Sequence, residues 1–366
     1  MSPAFFRATL GRATAAQERR CGMKAVVFKA PDELLEIAEV ADPLPEEGEL
    51  LLRVRASGIC GSDLHMAQVR DRAGGMMPLP EGTILGHEFA GDIAAIGAGV
   101  EGWREGERIC ALPYLSCGRC EMCLSGHGHR CAEVVSTGLG KLAGAYAEYV
   151  RVGADQAMRL PESVDYRAGA LVEPLAVGLH AVEAAGLQPG DAVLVVGAGP
   201  IGAAVTMWAR FLGARQVCVS DLSPARAAAA AGFGATRCID ASSENVVAAC
   251  KEAAGSRPQV IFDCVGVPGS QQLCMDYAPL YGRIVVAGVC MQPDTTIPAK
   301  AITKELALRY VYCYRRQDFE FTLDMLAAGR IDPTAMASHF VDFEGFPAAF
   351  EELKKPGDQC KVLLEP

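Results

Sequence analysis

Val193-Leu194-Val195-Val196-Gly197-Ala198-Gly199-Pro200-Ile201-Gly202 decides the fold. The apolar run Val193–Val196 predicts a buried strand, and the alanine-rich stretch after it predicts a helix from Ile201 to Leu212. Between them lies the pattern G-x-G-x-x-G. Gly197 permits a tight turn, Gly199 lets the backbone approach a pyrophosphate, and Gly202 allows helix to pack closely on strand. Pro200 and Ile201 open the helix, whose free N–H groups and partial positive charge face that anion. Asp221 ends the next strand, Val217–Ser220, 19 residues after Gly202. An acid there accepts hydrogen bonds from the adenine ribose hydroxyls. A 2′-phosphate would meet a like charge, so NAD is favoured over NADP. Arg226 is a further candidate for cofactor contact, because an arginine nearby can serve a 2′-phosphate. Its place in a helix capped by Ser223, opened by Pro224 and running through Ala231 puts it on the solvent face.

Further along, strands are predicted at Val260–Asp263 and Ile284–Ala287, with helical stretches at 244–253 and 270–279. Repeated strand–helix units imply a doubly wound parallel sheet. Residues 24–160 read differently. They hold short β-like runs, Leu50–Ala56, Phe89–Ile96 and Tyr146–Val152, divided by Gly and Pro. Seven of the 15 cysteines and all histidines except His180 and His339 lie before residue 150. The tail from about 317 holds an amphipathic helix, Phe319–Ala328, and a final strand, Lys361–Leu364. The expected division is a loose N-terminal extension at 1–22, an irregular β domain at 23–174 completed by 317–366, and a dinucleotide domain at 175–316.

Composition narrows the function classes. The chain has 366 residues, 51% hydrophobic and 21% charged, enough for two domains with sizeable cores. Its net charge of −10 opposes nucleic acid as a partner. Ala192 to Ala209 is 18 residues without a formal charge, the length of a marginal membrane span. The three glycines and Pro200 near its middle fit a strand, turn and buried helix instead, so no membrane partner is expected. Residues 1–22 carry four arginines and one acid, and no long apolar segment precedes a cleavage site. The cysteine-rich chain is therefore expected in the reducing cytoplasm. Cys218, Cys264 and Cys290 lie in or beside predicted strands, where a thiol serves as a small apolar group.

Two cysteine-containing patterns point to metal. Cys117-x2-Cys120-x2-Cys123-x7-Cys131 lets four thiolates face one point. Four sulfurs around Zn²⁺ leave no open position, so that site is structural. His127 and His129 within the last gap are expected to be exposed rather than ligating. The second pattern joins Cys60-Gly61-Ser62-Asp63-Leu64-His65 to Gly86-His87-Glu88. Catalytic zinc takes three protein ligands and a replaceable water. Cys60 and His87 are the first two, and Glu88 and Glu173 compete for the third place. Asp63 can accept the other N–H of His87 and fix its tautomer.

Taken together, these motifs resemble the zinc-dependent medium-chain alcohol dehydrogenases, in order and spacing, over nearly the whole chain from Met23. The resemblance implies a GroES-like β domain beside a Rossmann doubly wound domain, with one catalytic and one structural Zn²⁺ and NAD. It implies that Cys60 and His87 bind catalytic zinc, that Ser62 takes the substrate hydroxyl proton, and that His65 passes it to solvent through the nicotinamide ribose. It also places Lys361 at a basic position that contacts the cofactor pyrophosphate. Glu173-Pro174-Leu175 is similar to the sorbitol and butanediol dehydrogenase branch. That branch carries an aromatic-Arg-Tyr run, whereas this chain reads Tyr312-Cys313-Tyr314 with Arg315 and Arg316 displaced. The activity implied is reversible NAD-linked oxidation of a secondary alcohol or diol to a ketone. The alternatives are a polyol dehydrogenase of the sorbitol, butanediol or threonine type and, from another class, a zinc-free quinone reductase or plain dinucleotide-binding protein. Tyr146 is a candidate for either the pocket wall or the core. Relatives pair through edge strands of the cofactor domain, which implies a homodimer or homotetramer, with Gln292–Pro298 as the candidate edge.

Overall fold

A computed structural model describes residues 22–71, 77–355 and 357–366. Every residue of the strand Ala192–Val196 is buried, because both faces of its sheet are covered. Val193 and Val195 pack toward Trp208 and the helix Val172–Ala184, while Leu194 and Val196 meet Cys250, Cys274 and Met275 on the other face. The sheet has six parallel strands, ordered Arg237–Asp240, Gln216–Asp221, Ala192–Val196, Val260–Asp263, Arg283–Val286 and Ala307–Tyr310. The chain runs outward from Ala192–Val196 in one direction and then crosses to Val260–Asp263. The crevice where that order reverses opens at the carboxyl ends of those two strands, where ligands of such sheets bind. Gly197 follows the first of them.

A second sheet of seven strands carries the histidine- and cysteine-rich half. Its path is Ala337–Val341, Lys361–Leu364, Glu49–Gly58, Glu88–Ile96, Arg108–Ala111 and Ala157–Arg159, and Tyr149–Gly153 also pairs with Glu49–Gly58. The strand at the end of the chain is thus interior to the sheet formed by its beginning. Leu363 and Leu364 stand opposite Gly58 and Ser57, just before Cys60.

The expected boundary between residues 174 and 175 falls inside one helix, Val172–Ala184. This helix packs along the helix Pro200–Phe211, where the buried Trp208 donates its indole N–H to the Leu175 carbonyl at 2.8 Å. The two halves meet through continuous structure rather than a linker. The extension foreseen at 1–22 lies, apart from Gly22, outside the described residues. The edges of the cofactor sheet are Arg237–Asp240 and Ala307–Tyr310, not Gln292–Pro298, which holds no strand. Cys218 is buried as expected of a small apolar group, but Cys264 and Cys290 are only half-buried. Among the described residues no helix is long and apolar enough to cross a membrane. The uncharged stretch 192–209 divides into strand, turn and helix.

The turn itself shows why glycine is needed. Gly197 has φ +95°, in the left-handed region. A Cβ at Gly202 would lie 1.9 Å from the Gly197 carbonyl oxygen, so helix and strand approach closely only without a side chain. A Cβ at Gly199 would meet no protein atom, leaving open space above the helix start. Gly202→Ala is expected to destabilise the protein by about 1–3 kcal/mol through forced displacement of the turn. Urea unfolding measures this as a lower midpoint at unchanged slope.

Candidate active site and metal centres

Cys117, Cys120, Cys123 and Cys131 converge on one point, their sulfurs all within 4.8 Å of one another. The short helix Glu121–Leu124 begins at Cys120, and the 3₁₀ turn Gly128–Arg130 returns the chain to Cys131. Cys120 and Cys123 sulfurs are 3.5 Å apart, and Cys117 lies 3.9 Å from Cys123. The backbone N–H groups of Arg119 and Cys120 pull the Cys117 thiol down to about 6, into the range where thiolates form readily. Four converging sulfurs with one already disposed to ionise are a donor set that fits tetrahedral zinc. All cysteines among the described residues are free. His127 and His129 lie outside the sulfur cluster. Contrary to expectation, both His127 and His129 are half-buried, and the His129 ring packs 6.2 Å from that of Tyr312.

The second centre gathers at the start of the short helix Gly61–Met66. Cys60, His87 and Glu88 present ligand atoms within 4.8 Å of one another. Ser62 Oγ lies 3.2 Å from Cys60 Sγ and 3.4 Å from His87 Nε2. The other imidazole nitrogen, Nδ1, is 3.2 Å from the buried Asp63 carboxylate. Asp63 also accepts the Tyr146 hydroxyl at 2.5 Å and the Cys60 backbone N–H at 3.3 Å. Burial would raise the Asp63 carboxyl, but His87, Tyr146 and the Cys60 N–H together hold it below its ordinary value. On His87, burial works against charge, while Asp63 and Cys60 overcome it and raise the imidazole. The thiol, imidazole and carboxylate together form a donor set that fits catalytic zinc. His65 lies one turn after Ser62 on the same helix face, exposed at the surface, and partial desolvation lowers its imidazole.

The two competing glutamates occupy different places. Glu88 belongs to the Cys60–His87 cluster, and its Oε2 is buried with no hydrogen-bond partner. Its Oε1 accepts the Lys361 ammonium at 2.7 Å. Glu173 sits in the first turn of Val172–Ala184, outside that cluster but within the electrostatic reach of His87, Glu88 and Lys361. Burial pushes its carboxyl up to about 7, with repulsion from Glu88 adding and His87, the Tyr314 hydroxyl and Lys361 opposing. Lys361 differs from its expected place. Its ammonium is fully buried between Glu88 and the Ile59 carbonyl, 2.9 Å away, and so does not stand free for a pyrophosphate. Burial alone would lower that ammonium, and Glu88 reverses the effect and raises it.

At the dinucleotide turn, Asp221 accepts the Ala198 N–H and the Ser223 N–H, both at 2.8 Å. Its carboxylate is thereby fixed beside Gly197 and Gly199, with lone pairs remaining for ribose hydroxyls. Arg226 is half-buried rather than solvent-facing, and its Nε is buried without a partner. Its charge reaches Cys360, just before the final strand. Tyr146 is fully buried against Phe346, so it belongs to the core and reaches the site only through Asp63. The open space at Gly199, the free helix start at Pro200 and the anchored Asp221 fit a dinucleotide.

Lys361→Met leaves the Glu88 carboxylate buried and unpaired, and is expected to cost about 3–5 kcal/mol in urea unfolding. Adding Glu88→Gln to that variant should recover much of the loss, because the two charges form one unit. Tyr146→Phe, which removes a donor from Asp63, should weaken zinc retention about 10–100-fold in competition with a chelator.

Comparison with known proteins gives the same assignment. Residues 46–162 match the alcohol dehydrogenase GroES-like domain, and residues 200–328 match the zinc-binding dehydrogenase domain. A sorbitol dehydrogenase from Bacillus subtilis (strain 168) is 30% identical, over 94% of this chain and 97% of that relative. An L-threonine 3-dehydrogenase from Rhizobium rhizogenes (strain K84) is 31% identical, over 94% and 98%. The crystal structure of an alcohol dehydrogenase (rspB) from Escherichia coli CFT073, complexed with NADH, superposes with a TM-score of 0.84. It is 30% identical and is covered to 99%, against 94% of this chain. The chain belongs to the zinc-dependent alcohol dehydrogenase family, oxidoreductases that act on CH–OH groups.

Proposed function

We propose that this enzyme oxidises a secondary alcohol or diol reversibly to a ketone with NAD⁺. The observation that carries the reading is the convergence of Cys60, His87 and Glu88 with Ser62 Oγ 3.2 Å from the thiol. Sorbitol and threonine, named in two relatives, each contain a secondary alcohol. The proposed zinc residues are Cys60, His87 and one of Glu88 and Glu173 at the open centre, and Cys117, Cys120, Cys123 and Cys131 at the closed one. Glu88 is favoured as the third ligand at the open centre by its place in the cluster and its unpartnered Oε2. When bound, zinc supplies a Lewis acid that favours ionisation of the alcohol, and NAD⁺ supplies the hydride acceptor.

The chain's own residues do the rest. Ser62 Oγ takes the proton of the substrate hydroxyl. His65, on the same helix face, hands that proton toward solvent. Asp63 orients His87 from behind, and Tyr146 orients Asp63. Gly197, Gly199, Pro200, Ile201 and Gly202 receive the pyrophosphate, Asp221 the adenine ribose, and Arg226 lies close enough to contribute charge there. The β domain supplies the metal and proton groups, and the parallel sheet supplies the cofactor. The cleft between them aligns the carbinol carbon with the nicotinamide.

The Tyr312-Cys313-Tyr314 run argues against a polyol pocket. Arg315 is tied to Asp318 at 2.6 Å and to Glu183, and Tyr314 is buried on Glu173. Neither presents a free donor to a string of hydroxyls. Cys60→Ser is expected to reduce turnover more than about a hundredfold while NADH binding persists. Metal analysis should give two zinc ions per wild-type chain. A metal-free active enzyme, or full activity in the variant, would sink the mechanism. The kcat/KM with NAD⁺ should exceed that with NADP⁺ by at least about a hundredfold, because Asp221 repels a 2′-phosphate. Comparable values would show that Asp221 plays another part.

A further inference from the structure

Arg130 differs from Arg119, Arg315 and Arg316, the arginines near it in the chain or beside the 312–315 loop. Arg119 faces Glu133 at 3.9 Å, Arg315 binds Asp318 and Glu183, and Arg316 binds Glu320 at 2.7 Å. Among the described residues Arg130 has no carboxylate partner, in a chain whose acids outnumber its Lys and Arg by ten. Its guanidinium lies over the Tyr312 ring, 5.4 Å from the centroid, with His129 against the same ring. The backbone beneath it is fixed. The turn Gly128–Arg130 is closed by Arg130 N–H to the His127 carbonyl at 2.8 Å and leads directly into Cys131.

The neighbouring loop explains how this arginine comes to face the chemistry. Cys313 has φ +53°, unusual for a residue with a side chain. That bend sends Tyr314 inward onto Glu173, while Tyr312 remains 56% exposed beneath Arg130. Burial and the charge of Glu173 raise the Cys313 thiol to about 11, and Tyr312, His87 and Arg130 pull it the other way. His87 and Arg130 likewise both act on the Tyr312 phenol. The unpaired guanidinium and His87 thus both lie within electrostatic reach of the Tyr312–Cys313 loop, whose next residue, Tyr314, meets Glu173.

We propose that Arg130 binds an anionic group, a carboxylate or a phosphate, carried by the substrate away from its reacting carbon. This rests on the alcohol-oxidising reading above and narrows it to anionic secondary alcohols. A planar guanidinium matches both anions with paired N–H donors, and an aromatic face below it keeps the charge oriented without neutralising it. Tyr312 is the floor of this subsite, and the closed cysteine lobe is its rigid support.

The test compares the zinc-loaded wild-type enzyme with Arg130→Gln and Arg130→Lys. Substrates are butane-2,3-diol, 3-hydroxybutyrate and glycerol 3-phosphate. The wild type should prefer at least one anion to the neutral diol by about tenfold or more in kcat/KM. Arg130→Gln should lose that preference through KM while its activity on the diol stays unchanged, and Arg130→Lys should retain part of it. The carboxylate and phosphate arms decide which anion is held. Calorimetric titration of the NADH complex with succinate and with inorganic phosphate provides a readout independent of turnover. One of them should bind the wild type, and at least about tenfold more weakly the Arg130→Gln variant. Equal binding to both proteins overturns the proposal. So does loss of zinc in Arg130→Gln, which would make Arg130 a counter-charge for the lobe, or a fall in NADH affinity, which would make it a cofactor contact. If the wild type turns over none of the alcohols, the proposed reaction fails, while the titration still decides the role of Arg130.

Discussion

The contact on which the rest depends is the buried ion pair between Lys361 and Glu88. Both side chains are out of water, at 1% and 0% exposure, and are joined at 2.7 Å. A carboxylate or an ammonium alone in that position would carry a large desolvation penalty, so each residue is tolerable only with the other present. The two are 273 residues apart in the chain. Glu88 can therefore stand beside Cys60 and His87 only after the final strand has entered the sheet. The same ammonium donates to the Ile59 carbonyl, immediately before Cys60. The Cys60–His87–Glu88 cluster is held by the end of the chain.

A second tie sets that cluster against the cofactor sheet. The helix Val172–Ala184 carries Glu173 at its start and lies along Pro200–Phe211 for the rest of its length. The Trp208–Leu175 hydrogen bond joins the two helices in their apolar contact. His180, farther along the first helix, is 3.0 Å from Asp318, which also holds Arg315. One helix thus joins Glu173, the helix Pro200–Phe211 and the loop at 312–315. Displacing it would move all three together, which suits a reaction that requires two bound molecules in fixed relation.

Patterns with short sequence range were legible. The strand–glycine–helix run needs only local backbone logic, and the cysteine gaps close over a single lobe. Strands Val260–Asp263 and Lys361–Leu364 have the bounds that their apolar runs suggest. The choice between Glu88 and Glu173 was not legible, because it depends on which carboxylate a lysine from the chain end neutralises. Lys361 itself reads as an exposed base when its partner is unknown. Tyr146 could be wall or core until Asp63 was placed beside it. The edge strand was misplaced because Ala307–Tyr310, with an exposed tyrosine and arginine, lacks the apolar signature of the inner strands. Arg226 reads as solvent-facing from its helix position, yet it is half-buried and its charge reaches Cys360, far along the chain.

Charge in the cleft follows from how its cations are already committed. The chain carries −10 overall and yet must accept a dinucleotide bearing a pyrophosphate. Lys361 cannot offset that charge, since Glu88 has taken it. The first helix N–H groups after Gly199 do so, and Asp221 is held in place by two N–H groups instead of by a cation. Among the described residues, neither Arg226 nor Arg130 has a carboxylate partner. Arg226 lies on the helix that follows Asp221, and Arg130 lies over Tyr312. An arginine left unpaired in a protein with surplus acids retains its attraction for a ligand, because no internal partner screens it. On the anionic proposal, Arg130 presents a positive group to the negative end of the substrate, away from the neutral reacting carbon.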